Sequence, residues 1–331
     1  NETLTVSKVE RDHYRFTGID VTRVREGIEL SMEDYANSIE EIREIRKVKN
    51  DELLMDTELK LFRKYTGKIN WLAENTRPDL SIWSLNMSKV SKKATIGDLK
   101  KVNVVVKRIG MRRSMVRFPR IGQKEDLVIY AVGDASYKLE GLSIGGSLVM
   151  LGNKYNDNVS PLFWKSKQIQ KVCHSAKDAE TRNVMTMVDT SLYLKQQLSM
   201  LLFGKAEQEI PLYVYTDSRP LLDSIASTKQ VDQKLLRNTM MDLKKRLEDK
   251  EVTSYSWIGT KAMVADVLTK ESGEIENILE VMRENRFRKA HSQQNKVVWE
   301  NGEIVMKNKV VDVDEFDQDE NFDQTKTGGE Y

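Results

Sequence analysis

Between residues 124 and about 285 the chain runs through a sequence of patterns that few folds accommodate. Strand-like runs at 127–135, 142–151 and 161–165 are followed by a long helical pattern at 175–201. A strand at 211–216, helices at 219–226 and 232–249, a strand at 253–258 and a final helix from about 262 complete the set. Three strands, a helix, a strand, helices, a strand and a helix predict an α/β domain with a mixed sheet and helices on its faces.

Several of these elements carry an acid where an apolar residue belongs. In "LVIYAVGDAS" the run from Leu127 to Gly133 holds no charge, and Asp134 then falls in register with Val128, Tyr130 and Val132. Side chains alternate with period two, so Asp134 shares their face. An ionised carboxylate there is costly unless a cation or hydrogen bonds compensate it. The helix opening at Ser175, with Asp178 completing a capping box, puts Glu180 on the stripe of Val184, Met187 and Val188. "PLYVYTDSRPLL" ends its strand on Asp217, which alone reads as the N-cap of the next helix. In "MVADVLTK", Asp266 lies on the inner edge of the expected last helix.

Singly, each acid has an ordinary explanation. Together they form a series on strand, helix, strand end and helix, and one end of an α/β sheet brings such positions into convergence. Four converging carboxylates repel one another and raise their pKa values unless cations neutralise them. Oxygen ligands without His or Cys point to Mg²⁺ or Mn²⁺. Two such ions ~4 Å apart activate water and stabilise the leaving oxygen in phosphodiester hydrolysis.

Ahead of this region, "HYRFTGIDVTRVREGIELS" contains two β-like runs, at 13–21 and 27–31, with a turn near Arg25-Glu26-Gly27. Ser31 and Asp34 make a capping-box pattern before Tyr35, Ile39 and Ile42 at helical spacing. A second helix is predicted at about 57–74, bearing Leu59, Phe62, Ile69 and Leu72. A third follows Thr95, with Asp98 as its cap partner and Leu99, Val102, Val106 and Ile109 on one side. Residues 89–120 hold eleven basic side chains, among them Lys92, Lys93, Lys100, Lys101, Lys107 and Arg108, against the single acid Asp98. Such a run is either a solvated helix face or a phosphate-contacting one.

The net charge of +2 hides an asymmetry: residues 301–331 carry −6, which leaves +8 on residues 1–300. A basic body with an acidic tail favours nucleic acid as partner. The single cysteine, Cys173, excludes an internal disulfide and a cysteine-rich zinc site, and suits a reducing compartment. His13, His174 and His291 are too scattered to suggest a metal cluster, and His174 reads as structural. No apolar run approaches the ~18 residues of a membrane span. The chain starts at Asn1 rather than Met, so a fragment or a processed piece is expected.

Residues 127 to about 275 resemble the ribonuclease H domain of copia-type LTR retrotransposon polyproteins. "GDASYK", "FWKSKQIQKVCHSAKDAET", "YTDSRPL" and "ADVLTK" stand where that family has its acidic motifs. "STKQVDQKLLRNTMMDLKKRLE" is similar to the family segment before the last strand. The resemblance implies a ribonuclease H-like mixed five-stranded sheet with flanking helices over residues 123–285. It makes Asp134, Glu180, Asp217 and Asp266 the catalytic and metal-binding acids. Asp134 would bridge two Mg²⁺ ions, with Glu180 and Asp217 on one and Asp266 on the other.

Residues 1–122 look like the end of the adjoining reverse transcriptase, a mostly helical thumb/connection-like region. "FTGIDV…GIELSMEDY" is similar to the hairpin that grips the primer, which makes Phe16 and Gly18 candidate contacts, and "YTGKINWLAENTRPDLS" matches a recognisable segment of the same family. The basic helix after it would face the duplex. Residues 286–331 are expected to be a polar to acidic, disordered tail, apart from a short hairpin around "KVVWENGEIVM". The implied partners are an RNA–DNA hybrid and the upstream reverse transcriptase region, and no membrane. The implied setting is intracellular, in a cytoplasmic virus-like particle, the nucleus, or both.

Two departures from the family stand out. No Asp-Asp pair occurs in the chain, so it should not polymerise by itself. The segment "WIGTKAMVAD" lacks the histidine that many ribonucleases H carry before the last helix. The alternative is a catalytically inactive remnant that binds nucleic acid, and another nuclease or integrase on a similar sheet is a third reading.

Overall fold

The computed structural model describes residues 11–139, 142–205, 210–228, 234–288 and 295–308. The N-terminal part pairs four strands, β1 (His13–Phe16), β2 (Ile19–Val24), β3 (Gly27–Ser31) and β4 (Met115–Pro119), in that order and antiparallel. The first expected run is therefore two strands. Thr17 and Gly18 both take positive φ (50° and 84°), and this two-residue turn reverses the chain inside it.

Helices α1 (Glu33–Asn37), α2 (Asp56–Asn75), α3 (Ser81–Val90) and α4 (Ile96–Gly110) build a core around Phe62, Ile69, Leu72, Leu80, Leu99 and Val102. The cap at Thr95 forms as the sequence predicts, with Asp98 N–H donating to its hydroxyl at 3.3 Å. The first helix does not extend to Ile42. It stops at Asn37, and Ile39 and Ile42 reach the core from irregular backbone. Asn103 replaces the helical partners there: Ile42 N–H donates to its Oδ1 (2.8 Å), and its Nδ2 donates to the Ile42 carbonyl (2.9 Å).

The second part centres on β5 (Leu127–Ser136), β6 (Ile144–Asn153), β7 (Val159–Gln168), β8 (Leu212–Thr216) and β9 (Ser254–Trp257). Strands β5, β8 and β9 are parallel, whereas β6 and β7 pair antiparallel. Helices α5 (Ala176–Phe203), α6 (Arg219–Ala226) and α7 (Lys234–Glu248) flank the sheet. Ile129, Ala131 and Val214 pack with Val184, Met187 and Val188 on one face, while Val128, Tyr130 and Val132 pack on the other. This is the expected α/β mixed sheet with flanking helices.

The sheet has seven strands rather than five. Strands β10 (Asn295–Glu300) and β11 (Glu303–Asn308) extend it in the order β11-β10-β9-β8-β5-β6-β7. The segment from 286, expected to be a disordered tail with a short hairpin, thus supplies structure to the sheet itself. Val297, Trp299, Ile304 and Met306 pack into the α5-side core, and Asn301-Gly302 closes the hairpin with positive φ at both positions. The acidic stretch from 309 lies outside the described residues.

The helix expected from 262 is also broken. The chain makes 3-10 turns at Thr260–Ala262 and Asp266–Leu268, then α8 (Ile275–Leu279) and one π turn, Glu280–Glu284. Gly273 folds back against the second of these 3-10 turns so closely that a Cβ there would lie 2.6 Å from Val267 Cα. A continuous helix cannot make that reversal.

The two parts touch through polar contacts near this broken segment. Asn86 donates to Glu271 (2.6 Å), Arg112 to Glu276 (2.7 Å), and the Trp164 indole N–H to the Ala73 carbonyl (2.7 Å). No helix among the described residues is long and apolar enough to cross a membrane.

Candidate active site

The acids meet at the end of the sheet where β5 and β8 finish. Asp134 lies opposite Gly146 in the β5–β6 ladder, and Asp217 directly follows β8. The first turns of α5 approach from one face, its Ser175 cap accepting the Asp178 N–H at 3.1 Å. Asp178 itself accepts the His174 N–H (3.0 Å) and pairs with Arg182 (2.5 Å), so it serves the helix start. Glu180 is carried inward as its stripe position predicts. One carboxylate oxygen from each of Asp134, Glu180 and Asp217 comes within 4.8 Å of the others.

These groups are removed from water. Asp134 is 2% and Glu180 7% exposed. Glu180 Oε1 accepts the Ala135 N–H at 2.9 Å, while Oε2 is buried without a hydrogen-bond partner. A buried anionic oxygen left unpartnered is costly, and a cation relieves that cost. Burial, followed by the charges of Asp134 and Asp217, pushes the Glu180 carboxyl up to about 9. Burial and the Asp134 charge push Asp217 up to about 6. Asp134 is raised as well, chiefly by burial, although the Thr269 hydroxyl and the Lys270 charge oppose the rise.

From the other face comes the turn at 266–270. The Thr269 hydroxyl donates to Asp134 Oδ2, and Lys270 Nζ bonds Asp266 Oδ1 while standing 3.9 Å from Asp134 Oδ2. The Ser166 hydroxyl holds this turn to β7 through the Leu268 carbonyl at 2.6 Å. Burial alone lowers the Lys270 pKa, but the Asp266 bond and the charges of Asp134, Asp266 and Asp217 outweigh it, and the net shift is upward. Three of the four expected acids therefore converge directly. Asp266 joins them only across the Lys270 ammonium.

Sequence reasoning missed Asn183, Thr269, Lys270 and the Gly145-Gly146 pair. Asn183 Nδ2 donates to the Asp134 carbonyl (2.9 Å) and the Gly146 carbonyl (3.0 Å). The glycines let both faces approach: a Cβ on Gly145 would lie 2.2 Å from Asn183 Oδ1, and one on Gly146 would lie 2.7 Å from Leu268 Cβ. Two signals were present in the sequence. A glycine pair inside a strand marks close approach of other groups, and an acid four residues before a lysine marks an ion pair.

The expected nucleic-acid contacts divide into outward and inward groups. Phe16, 67% exposed, and Gly18 stand at the β1–β2 turn. Lys92, Lys93, Lys100 and Lys101 are exposed, with Lys100 also bonded to Asn50 (2.8 Å). Lys107 pairs with Glu41 at 3.5 Å. Arg108 turns inward, its guanidinium 5.7 Å from the centre of the Trp83 ring and 3.9 Å from Asp79. It is thus part of the helical core's polar network.

The oxygen-only donor set and the unpartnered Glu180 oxygen fit a hard divalent cation such as Mg²⁺ or Mn²⁺. Among the described residues no other trio of His, Cys, Asp or Glu side chains meets in this way.

Comparison with known proteins finds no matching family model and no matching curated protein. Among solved structures, the chain is similar to an N-terminal ribonuclease H domain from Mycobacterium tuberculosis, with 14% identity and a TM-score of 0.34 over 43% of this chain and 91% of that one. It is also similar to LC11 ribonuclease H1, isolated from compost and solved with an RNA/DNA hybrid, with 17% identity and a TM-score of 0.31 over 46% and 99%. A third is the prototype foamy virus protease–reverse transcriptase, with 15% identity and a TM-score of 0.30 over 45% of this chain and 21% of that one.

Proposed function

We propose that this chain is a divalent-metal-dependent endonuclease of the ribonuclease H type, cutting the RNA strand of an RNA–DNA hybrid. The observation that carries the reading is the buried trio of Asp134, Glu180 and Asp217, with Glu180 Oε2 unpartnered. These three side chains would hold Mg²⁺. When bound, the cation supplies Lewis acidity and an activated water for phosphodiester hydrolysis. The protein contributes a buried, rigid donor set: Asn183 fixes the Asp134 main chain and Ala135 N–H orients Glu180. Asp266 pairs with Lys270, whose ammonium stands 3.9 Å from Asp134 Oδ2.

Lys92, Lys93, Lys100 and Lys101 would meet phosphates of the hybrid, and Phe16 and Gly18 would contact the primer strand. RNA would be chosen over DNA through its 2′-hydroxyl. The quoted motifs support descent from a copia-type retrotransposon polyprotein, with residues 1–122 as the end of its reverse transcriptase and 123–285 as the nuclease. Polymerase activity is not proposed for this chain, which has no Asp-Asp pair.

The test is a labelled RNA–DNA hybrid with Mg²⁺. Cleavage confined to the RNA strand, abolished in Asp134→Asn, is expected. No cleavage with Mg²⁺ or Mn²⁺, or undiminished cleavage by Asp134→Asn, overturns the reading. One observation favours the second reading, a non-cutting nucleic-acid-binding remnant: Lys270 already neutralises part of the acidic set. Such a remnant would bind the hybrid yet show no Mg²⁺-dependent rise in melting temperature.

A further inference from the structure

We propose that the sheet face opposite α5 carries a second binding site, a pocket over β8, β9 and β10 that takes a nucleobase bearing a phosphate. None of the residues that line it belongs to the acidic set, so the proposal is independent of the metal-site reading.

Strands β8 and β9 are parallel and interior, and such strands are ordinarily apolar on both faces. Toward α5 the rule holds, with Val214 and Tyr255 buried there. On the opposite face β9 carries Ser254 and Ser256, whose hydroxyls lie 3.2 Å apart. The register sets Tyr213 beside Ser254, and Tyr215 beside Ser256 and then Lys296. Directly opposed residues point to one face. Hydroxyls and an ammonium therefore stand where branched apolar side chains would complete a core. They line a cavity of about 400 Å³, a size that suits a small molecule.

The lining divides by chemistry. On the β5 side the Tyr130 ring centre lies 5.8 Å from that of Tyr213 and 6.1 Å from that of Tyr215, and Phe287 backs this wall 5.5 Å from Tyr215. The Tyr213 hydroxyl has no hydrogen-bond partner among the described residues. Asp157 closes this end and can accept from the N–H of a base. On the β10 side stands Lys296, whose ammonium makes no ion pair among the described residues, whereas Lys154 at the rim is already paired with Asp126 at 3.1 Å. Tyr130 and Lys296 lie on strands three positions apart, about 14 Å at ~4.8 Å per strand. A ligand filling that span must offer a flat ring to the tyrosines, hydrogen-bonding edges to the serines and an anion to the lysine. A nucleobase stacks on aromatic side chains whatever its identity, and its phosphate supplies the charge. An uncovered sheet face would be polar simply because water reaches it. Against that plain reading, Ser254, Ser256 and Tyr215 are only 2–3% exposed, so their hydroxyls are sheltered in the pocket rather than spread over an open surface.

Calorimetry on the whole chain in EDTA, where no metal draws phosphate to the acidic trio, tests this. The probes are the four ribonucleoside 5′-monophosphates, the matching nucleosides, inorganic phosphate and a single-stranded oligodeoxythymidine. A monophosphate or the single strand is expected to bind at least tenfold tighter than nucleoside or phosphate alone. Lys296→Met, which keeps the stem and removes the charge, is expected to weaken that binding at least tenfold, and Lys296→Arg to retain it. Tyr213→Leu, which removes a stacking ring, is expected to weaken it as well. A monophosphate that binds as tightly as the strand identifies a free nucleotide as the ligand, and preference for the strand identifies single-stranded nucleic acid. No binding of any probe at millimolar concentration, phosphate as tight as the nucleotides, or binding unchanged in Lys296→Met overturns the proposal and leaves the metal-site reading untouched.

Discussion

Asn183 fastens Asp134 to its neighbouring strand, the Asn183 amide donating 2.9 Å to the Asp134 carbonyl and 3.0 Å to the Gly146 carbonyl. The backbone that aims one carboxylate is thereby tied to α5, three residues beyond the glutamate that aims another. Substituting Asn183→Leu keeps the volume and removes both bonds. Leaving buried carbonyls without those donors costs about 1–3 kcal/mol. Urea denaturation should show that loss, and RNA cleavage should fall at least tenfold because Asp134 and Glu180 lose their common anchor. Unchanged cleavage would mean the strand end holds itself.

Gly146 controls the approach from the other face. An alanine there would put its Cβ 2.7 Å from Leu268 Cβ and 2.9 Å from Thr269 Cγ2. The turn must move away, and with it the hydroxyl that bonds Asp134 and the lysine beside it. Overpacking of this kind costs about 1–3 kcal/mol. Gly146→Ala should therefore melt earlier and cleave more slowly, because the Thr269 hydroxyl that bonds Asp134 moves with the turn; unchanged melting and cleavage would show that the turn yields without cost.

The acidic trio makes stability depend on pH in a direction opposite to that of a salt-bridged carboxylate. Glu180 titrates near 9 in the metal-free fold, facing Asp134, Asp217 and the more distant Lys270. In the unfolded chain it titrates near about 4.3. Between those values the folded state holds a proton that the unfolded state has released, so stability falls as pH rises. Asp217, near 6 in the fold, adds to the same slope over the lower part of that window. In EDTA the melting temperature should fall steadily from pH 5 to pH 9. With saturating Mg²⁺ the slope should flatten, because the cation favours the ionised carboxylates. A melting temperature independent of pH in EDTA would show that these groups are not buried together.

The sheet and its acids were legible because their signals are local. Alternation marks β5 and β8, and the odd carboxylate at each end is visible against it. Glu180 was legible from helical phase and Thr95 from its cap. What escaped depends on contacts that no local period marks. The break after Asp266 arises where Gly273 doubles back on Val267, which no periodicity encodes. Ile39 and Ile42 have helical spacing, yet Ile42 is held by Asn103, about sixty positions on, through backbone-like hydrogen bonds. Arg108 reads as one of a basic run, and only the packing of Trp83 and Asp79 turns it inward.

The segment "NTRPDLS" owes its place to a buried ion pair. Arg77 and Asp79 are both fully buried and form a two-pronged pair at 2.8 and 2.9 Å. The same guanidinium donates to the carbonyls of Arg108, Ile109 and Arg112 at the end of α4. One side chain thus closes α4 and positions Arg112, which reaches across to Glu276 in the segment beyond the acidic turn. Arg77→Met leaves Asp79 charged and unpaired in the core, a change that costs about 3–5 kcal/mol. Arg77→Lys should rescue little, because an ammonium cannot supply the planar fork to Asp79 and the three carbonyls together. Both variants should lose the cooperative melting of the N-terminal helices, followed by far-ultraviolet circular dichroism. RNA cleavage should decline with it, since the contacts of Asn86 and Arg112 with Glu271 and Glu276 brace the segment that carries Asp266 and Lys270. Full cleavage by a protein whose N-terminal helices have melted would show that the nuclease part positions this segment without them.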